Sequence, residues 1–158
     1  MKRPPYENFP VISNERLSLR EIQSDDMKDL IEISFYDAIQ ATTMEQATEM
    51  QTRINEDYLS GNSIHWGIAD RFTNRIVGTF DKGEGELGCV LLSKYKGQGY
   101  MTSAMSLAID FGINEIGLSR IWAITTKQNQ KAINLMEKLN FLQIAELEDD
   151  NVEYELKM

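Results

Sequence analysis

A strand, a glycine-bearing turn and a helix follow one another over residues 87–116. The apolar run of residues 87–92 predicts a strand, and residues 102–116 place apolar side chains at helical spacing without a proline. Gly97 and Gly99 lie in the turn between them and can adopt backbone angles closed to other residues. The first N–H groups of a helix lack intrahelical partners and lie at the positive end of its dipole. We therefore expect an anion site here, most naturally for phosphate, with an ordinary strand-to-helix turn as the alternative.

The turn is basic, whereas the chain as a whole is acidic. Lys94 and Lys96 precede the glycines, but the formal net charge at pH 7 is −9. A nucleic-acid-binding protein needs a basic face, so this charge argues against nucleic acid as the main partner. An acidic surface weakly favours a cationic substrate, such as an amine or a basic N-terminus.

Composition limits the class of protein. A chain of 158 residues predicts a single domain over 1–158 with a substantial core. No apolar run approaches the ~20 residues that span a bilayer, and the basic N-terminus lacks a signal peptide's apolar stretch, so no membrane partner is expected. The only cysteine, Cys89, cannot form an intramolecular disulfide, which suits a cytoplasmic protein. With His65 as the only histidine, no metal site is expected.

Periodicity along the chain predicts an α+β domain. Asn140, at the end of the last helix, and Gly61 and Gly117 are residues that suit helix ends. We expect an irregular leader over 1–14, a helix capped by Ser24, and a mostly antiparallel, mixed sheet of seven strands with helices on both faces. The predicted strands are 16–20, 64–69, 75–80, 86–92, 120–125, 141–147 and 152–156, and the predicted helices are 24–35, 43–59, 102–116 and the segment after Asn129.

Four pieces of the chain, in order and suitably spaced, carry a family resemblance. They are ERLSLR at 15–20, ELGCVL at 86–91, KGQGYM at 96–101 and NQKAINLMEKLNF at 129–141. The chain resembles the GNAT superfamily of acetyl-CoA-dependent N-acetyltransferases, especially the Rim-type branch of ribosomal-protein N-terminal acetyltransferases. The resemblance covers essentially the whole chain. It implies a sheet splayed between the fourth and fifth predicted strands.

The sequence departs from the family pattern at several positions. Lys96 replaces the usual Gln or Arg and Met101 replaces Gly or Ala, but the phosphate donors of the family are backbone amides. Ala132 and Met136 stand where the family often has a serine or tyrosine that protonates the departing thiolate, so this helix supplies no side-chain acid. Asn140 stands where glycine is common. The turn after residues 76–79 comes early, so the third predicted strand is expected to be several residues shorter than is usual in this branch, either through a deletion or because residues are missing from the sequence.

The resemblance implies how acetyl-CoA is held. The main chains of Val90 and Leu91 would pair with the pantetheine arm, and the Leu91 amide would polarise the thioester carbonyl. Asn129 would bind the pantetheine amide or the acetyl group, or cap the last helix. Tyr95 and Tyr100 flank the glycines and could line the cofactor channel. The diphosphate would lie on the residues of the glycine turn, namely Lys96, Gly97, Gln98, Gly99, Tyr100, Met101 and Thr102.

Two residues are candidates for the general base that deprotonates the amine. Glu86 begins the fourth predicted strand, at a position that is often acidic in the branch, and partial burial would make it a better base. Its alternative is a solvated edge acid. His65 competes because its ordinary pKa lies near neutrality, although a packed histidine is its simpler interpretation. Cys89 is interpreted as a small core residue.

The sequence leaves three functions open. The first is an acetyl-CoA-dependent N-acetyltransferase that acts on a primary amine, either of a protein N-terminus or of a small molecule, by direct attack on the thioester. The second is a non-catalytic acyl-CoA-binding sensor, which the missing acid at Ala132 and Met136 would suit. The third is an antibiotic- or polyamine-modifying acetyltransferase. Exposed apolar residues on the helices or last strands could support a homodimer.

Overall fold

The computed structural model describes residues 3–31, 41–83, 85–91 and 93–158, and within them eight strands form one sheet. The spatial order of the strands is β1-β2-β3-β4-β5-β6-β8-β7, and all neighbours are antiparallel except β5 and β6. The strands are β1 (Ile12–Ser13), β2 (Leu17–Arg20), β3 (Ser63–Asp70), β4 (Ile76–Gly83), β5 (Glu86–Leu91), β6 (Trp122–Thr126), β7 (Phe141–Glu146) and β8 (Asn151–Leu156).

Four α-helices accompany the sheet in the described residues: α1 (Met27–Leu30), α2 (Met44–Leu59), α3 (Tyr100–Phe111) and α4 (Gln130–Lys138). Short 3₁₀ turns precede α1 at Ser24–Asp26 and α3 at Ser93–Tyr95, and a π-helical turn, Gly112–Ile116, extends α3. The α+β class and the mixed sheet are confirmed, and α2 and α4 lie where the sequence predicted helices. No helix in the described ranges combines the length and apolarity needed to cross a bilayer.

Helix ends follow the residues that the sequence singled out. Gly61, Gly117 and Asn140 all have positive φ, at 82°, 81° and 71°, which lets the chain turn away from each helix. The predicted cap at Ser24 is wrong, because Ser24 is already the first residue of the 3₁₀ turn. The N–H of Gln23 instead donates to the Asp26 carboxylate at 2.8 Å. The part of the predicted first helix beyond residue 31 lies outside the described residues.

Several predicted boundaries need correction. Ile12 and Ser13 pair with β2, so the leader contributes an eighth strand. Helix α3 begins at Tyr100, two residues earlier than predicted, because Gly99 supplies the left-handed residue before it. The predicted end of the third strand at residue 80 is wrong: β4 continues to Gly83, although residues 81–83 have turn-like composition. Pairing with both β3 and β5 outweighs the weak strand propensity of these residues.

Both faces of β3 are buried, which places two cores on opposite sides of the sheet. Ile64, Trp66 and Ile68 belong to a core that includes the buried face of α3. The alternate residues of β3, including His65, are buried on the other face, and α2 contacts this strand. A second core beneath α1 and α2 consists of Ile22, Met27, Leu30, Ala41, Ala47, Met50 and Ile54.

Candidate active site

Strands β5 and β6 meet at one end and diverge towards the other. Their register pairs Glu86 with Trp122, and the Trp122 N–H donates to the carbonyl of Gly85 at 2.9 Å. Farther along β5, Val90 and Leu91 pair with β4, while β6 pairs with β8. The predicted splay is thus confirmed. The splay leaves one backbone edge of β5 and one backbone edge of β6 facing the gap between the two strands.

A cleft enters this gap between α3 and α4. Its outer part is a cavity of about 450 Å³, and an adjoining inner cavity of about 140 Å³ reaches between the two strands. The inner walls are formed by Leu87 and Gly88 of β5 and by residues 123–125 of β6. The two cavities share Met101, Asn129, Ala132 and Leu135. An extended ligand could therefore run from the start of α3 into the gap.

The glycine turn forms the mouth of the cleft. Gly97 and Gly99 have φ values of 78° and 81°, and both line the outer cavity. A Cβ atom on Gly97 would meet no heavy atom within 4 Å, so the approach to its backbone is open. Met101 and Thr102, in the first turn of α3, also line this cavity. Free amides at a helix start beside an open glycine backbone fit a diphosphate group.

Two lysines supply positive charge at this mouth. Lys96 of the turn and Lys131 in the first turn of α4 both line the outer cavity. Lys96 was predicted, whereas Lys131 was not, although it stands two residues after Asn129 in the matching block. On a chain of net charge −9, a pair of lysines beside amide donors favours an anionic ligand.

Asn129 has its predicted role as the cap of α4 and also lines the cleft. Its Oδ1 accepts from the N–H of Ala132 at 3.2 Å, so it caps α4, and its side chain also lines both cavities. Ala132 and Met136 are in the inner wall, where neither can donate a proton. Sequence reasoning missed Thr125, which brings a hydroxyl group to the same wall.

Neither predicted tyrosine lines the described cleft. The Tyr100 ring is buried, and its hydroxyl donates to Asp70 Oδ2 at 3.0 Å. Burial raises the pKa of Tyr100, and the hydrogen bond to Asp70 raises it further. The pKa of Asp70 is lowered, chiefly by the N–H of Thr73. Tyr95 stacks edge-on against Tyr100 at 5.8 Å. Gln98 is exposed, and its amide donates to the Lys94 carbonyl at 3.0 Å.

The two candidate bases lie on the same face of the sheet. Leu87 is buried in the core beside α3, so Glu86 points to the opposite face. His65 also points away from that core and lies about two strand spacings, roughly 10 Å, from β5. His65 is buried, with Nδ1 at 3.5 Å from Ser63 Oγ. Glu86 is exposed and lacks the partial burial that would strengthen a base.

Glu86 is part of a partly open surface that we call the acceptor face, defined by Glu86, Trp122, Ile124, Glu153 and Glu155. Trp122 is opposite Glu155 and Ile124 opposite Glu153, so all five share one side of the sheet. Arg120 pairs with Glu153 at 2.7 Å and with Glu155, and its guanidinium lies 5.0 Å from the centre of the Trp122 ring. The acceptor face therefore contains acidic side chains next to the aromatic ring of Trp122.

The family is established by a match of residues 16–142 to the acetyltransferase (GNAT) domain model. The chain belongs to the GNAT family, and it is an N-acetyltransferase.

Individual proteins support the assignment. The chain is 26% identical over 147 residues to the uncharacterized N-acetyltransferase YoaA of Bacillus subtilis (strain 168), covering 84% of this chain and 83% of that protein. It is 36% identical over 56 residues to spermidine N(1)-acetyltransferase of Escherichia coli (strain K12), 35% of this chain and 30% of that protein. Its fold matches that of ribosomal-protein-S5-alanine acetyltransferase from Vibrio fischeri with a TM-score of 0.78 and 19% identity, covering 92% and 95% of the two chains.

Proposed function

We propose that this chain transfers the acetyl group of acetyl-CoA to a primary amine, on a small molecule or at a protein N-terminus. The observation that carries the proposal is the continuous cleft from the α3 start into the β5–β6 gap. Its mouth suits a diphosphate, and its inner part is lined by apolar residues and strand edges. Acetyl-CoA has the same order of parts, because its charged diphosphate is followed by the uncharged pantetheine arm.

Each part of the cleft has a chemical task. The amides of residues 97–102, with Lys96 and Lys131, hold the diphosphate. The main chains of Val90 and Leu91 pair with the pantetheine arm, and the Leu91 N–H polarises the thioester carbonyl. Asn129 orients the pantetheine amide or the acetyl group. These contacts keep the thioester carbon in the β5–β6 gap, where an amine can attack it from the acceptor face.

Glu86 is the general base in this proposal. It begins β5 at the closed end of the gap and points to the acceptor face, so it meets the amine on that side. The ammonium gives its proton to Glu86, directly or through water. The amine nitrogen then bonds to the acetyl carbon, and the carbon–sulfur bond breaks. The nitrogen loses its second proton as the carbon–sulfur bond breaks, and water relays that proton to the departing thiolate, because Ala132 and Met136 offer none.

The acceptor face supports a cationic acceptor. Glu86 lies beside Trp122, whose ring already accepts the Arg120 guanidinium on one side. Carboxylates and an aromatic ring together attract ammonium groups. This observation favours polyamines as a second candidate within the same chemistry, in line with the spermidine-acetylating relative. The homodimer and the cytoplasmic location stay predictions.

The test measures release of free thiol from acetyl-CoA with three acceptor panels: polyamines, other small amines including aminoglycosides, and peptides with free N-termini. Binding of CoA is measured in parallel by calorimetry. We expect CoA binding and turnover with at least one panel, and loss of turnover in Glu86→Gln. Tight CoA binding without turnover in any panel would favour the non-catalytic sensor. Absence of CoA binding would overturn the proposal altogether.

A further inference from the structure

Tyr100, the first residue of α3, is held by three groups from outside the helix. Its hydroxyl donates to Asp70 Oδ2 at 3.0 Å, the Arg16 guanidinium carbon lies 4.0 Å from the centre of its ring, and Tyr95 contacts it edge-on. The N–H of Tyr100 is one of the amides at the helix start. A fixed side chain therefore restricts the direction of that amide.

Asp70 is itself fixed by the turn between β3 and β4. Its Oδ1 accepts from the N–H of Phe72 at 2.9 Å, from the N–H of Thr73 at 3.1 Å and from the Thr73 hydroxyl at 3.3 Å. These bonds leave Oδ2 for Tyr100. One carboxylate thus joins the β3–β4 turn to the start of α3, although Asp70 and Tyr100 are 30 residues apart in the chain.

Arg16 lies close to Gly99 as well. A Cβ atom on Gly99 would lie 3.0 Å from a guanidinium nitrogen of Arg16. The Arg16 carbonyl accepts from the N–H of Arg71 at 3.0 Å, so Arg16 is also tied to the β3–β4 turn. Neither Asp70 nor Arg16 lines the cleft as described. Both residues therefore contact the start of α3 without lining the cleft.

We propose that Asp70 is a positioning residue for the diphosphate site and acts through the Tyr100 hydroxyl. It orders the start of α3 before ligand arrives, so that binding does not have to restrict the turn at a cost in affinity. This inference depends on the proposed binding of CoA at the glycine turn. It assigns to the β3–β4 turn, which does not touch the cleft, a part in cofactor affinity.

The test compares Tyr100→Phe, Asp70→Asn and their double variant with Thr73→Val as the matched control. Thr73→Val removes one hydrogen bond to the same carboxylate, and the one that the Thr73 hydroxyl accepts from the Arg75 N–H, but leaves Tyr100 untouched. We expect Tyr100→Phe to raise the CoA Kd and the KM for acetyl-CoA by roughly three- to tenfold, with kcat nearly unchanged. The double variant should bind CoA as tightly as whichever single variant binds it less tightly. Thr73→Val should bind CoA like wild type.

Amide hydrogen exchange of the ligand-free proteins gives a second readout. Exchange over residues 97–104 should be faster in Tyr100→Phe than in Thr73→Val, even where both have the same melting temperature. Unchanged CoA affinity in Tyr100→Phe, or losses that add in the double variant, would overturn the positioning role while the proposed function stood. A wild-type protein that fails to bind CoA would instead overturn the proposed function, and this inference with it.

Discussion

A Cβ atom on Gly85 would lie 2.4 Å from the carbonyl oxygen of Arg120, which is closer than two non-bonded atoms can come. The Gly85 carbonyl also accepts the Trp122 N–H at 2.9 Å. These contacts hold the start of β5 against the start of β6, at the closed end of the cleft. The width of the gap therefore depends on close backbone approach at one glycine.

We predict that Gly85→Ala destabilises the protein by roughly 3 kcal/mol or more, because backbone must move and φ is 99°. Gly97→Ala is the matched control. It also has positive φ, but its Cβ would meet open space, so we expect a loss of only about 1–2 kcal/mol. Urea unfolding followed by circular dichroism measures both. Equal losses would show that contact with Arg120 does not constrain Gly85.

Glu86→Gln tests the choice of general base. Glutamine keeps the size of the side chain but cannot accept the proton, so kcat should fall by roughly a hundredfold or more, with little change in the KM for acetyl-CoA.

His65→Gln is the companion variant for this experiment. His65 is buried about two strand spacings from β5. Its replacement should therefore lower the melting temperature but leave kcat nearly unchanged. If His65→Gln lost turnover while Glu86→Gln kept it, the base would be the histidine.

Lys96 and Lys131, which line the outer cavity, should strengthen CoA binding through their positive charge. Lys96→Gln and Lys131→Gln should each weaken CoA binding by about two- to fivefold at low salt, because each lines the mouth of the cleft. The difference from wild type should shrink towards 1 M salt, where screening is strong. Lys138→Gln, at the other end of α4, is the control, and its affinity should match wild type. A salt-independent loss in Lys131→Gln would point to packing instead.

Local signals in the sequence predicted much of this fold. Asn129 and Asn140 each shape the chain through their own backbone or nearest turn, so their roles could be inferred without knowledge of the tertiary structure. The glycine turn is local for the same reason. Whether Gly97 to Thr102 bind a diphosphate remains a prediction.

Features set by distant partners were not predictable in this way. The extension of β4 to Gly83 depends on strands at both of its sides. The orientation of Tyr100 depends on Asp70, 30 residues earlier, and the approach to Gly85 depends on Arg120. No periodicity or spacing in the sequence reports such contacts, because each requires the sheet order to be known first.

The lowered pKa of Asp70 predicts an acid-dependent part of stability. The hydrogen bond from the Thr73 N–H is its main cause, and the bonds from Tyr100, Phe72 and the Thr73 hydroxyl add to it. The folded-state pKa is below the unfolded value, so folding favours the carboxylate. The stability that this gives is complete above the ordinary value, about 3.8, and is lost as pH falls through the lower folded value.

Asp70→Asn removes this titration. We expect the difference in unfolding free energy between wild type and Asp70→Asn to be constant from neutral pH to about pH 5 and to shrink below about pH 4. Urea denaturation at a series of pH values measures it. Asp110→Asn, at an exposed position of α3, provides a comparison at a carboxylate outside the β3–β4 turn. A difference that grew on acidification would mean that folding favours the protonated form of Asp70, contrary to its hydrogen bonds.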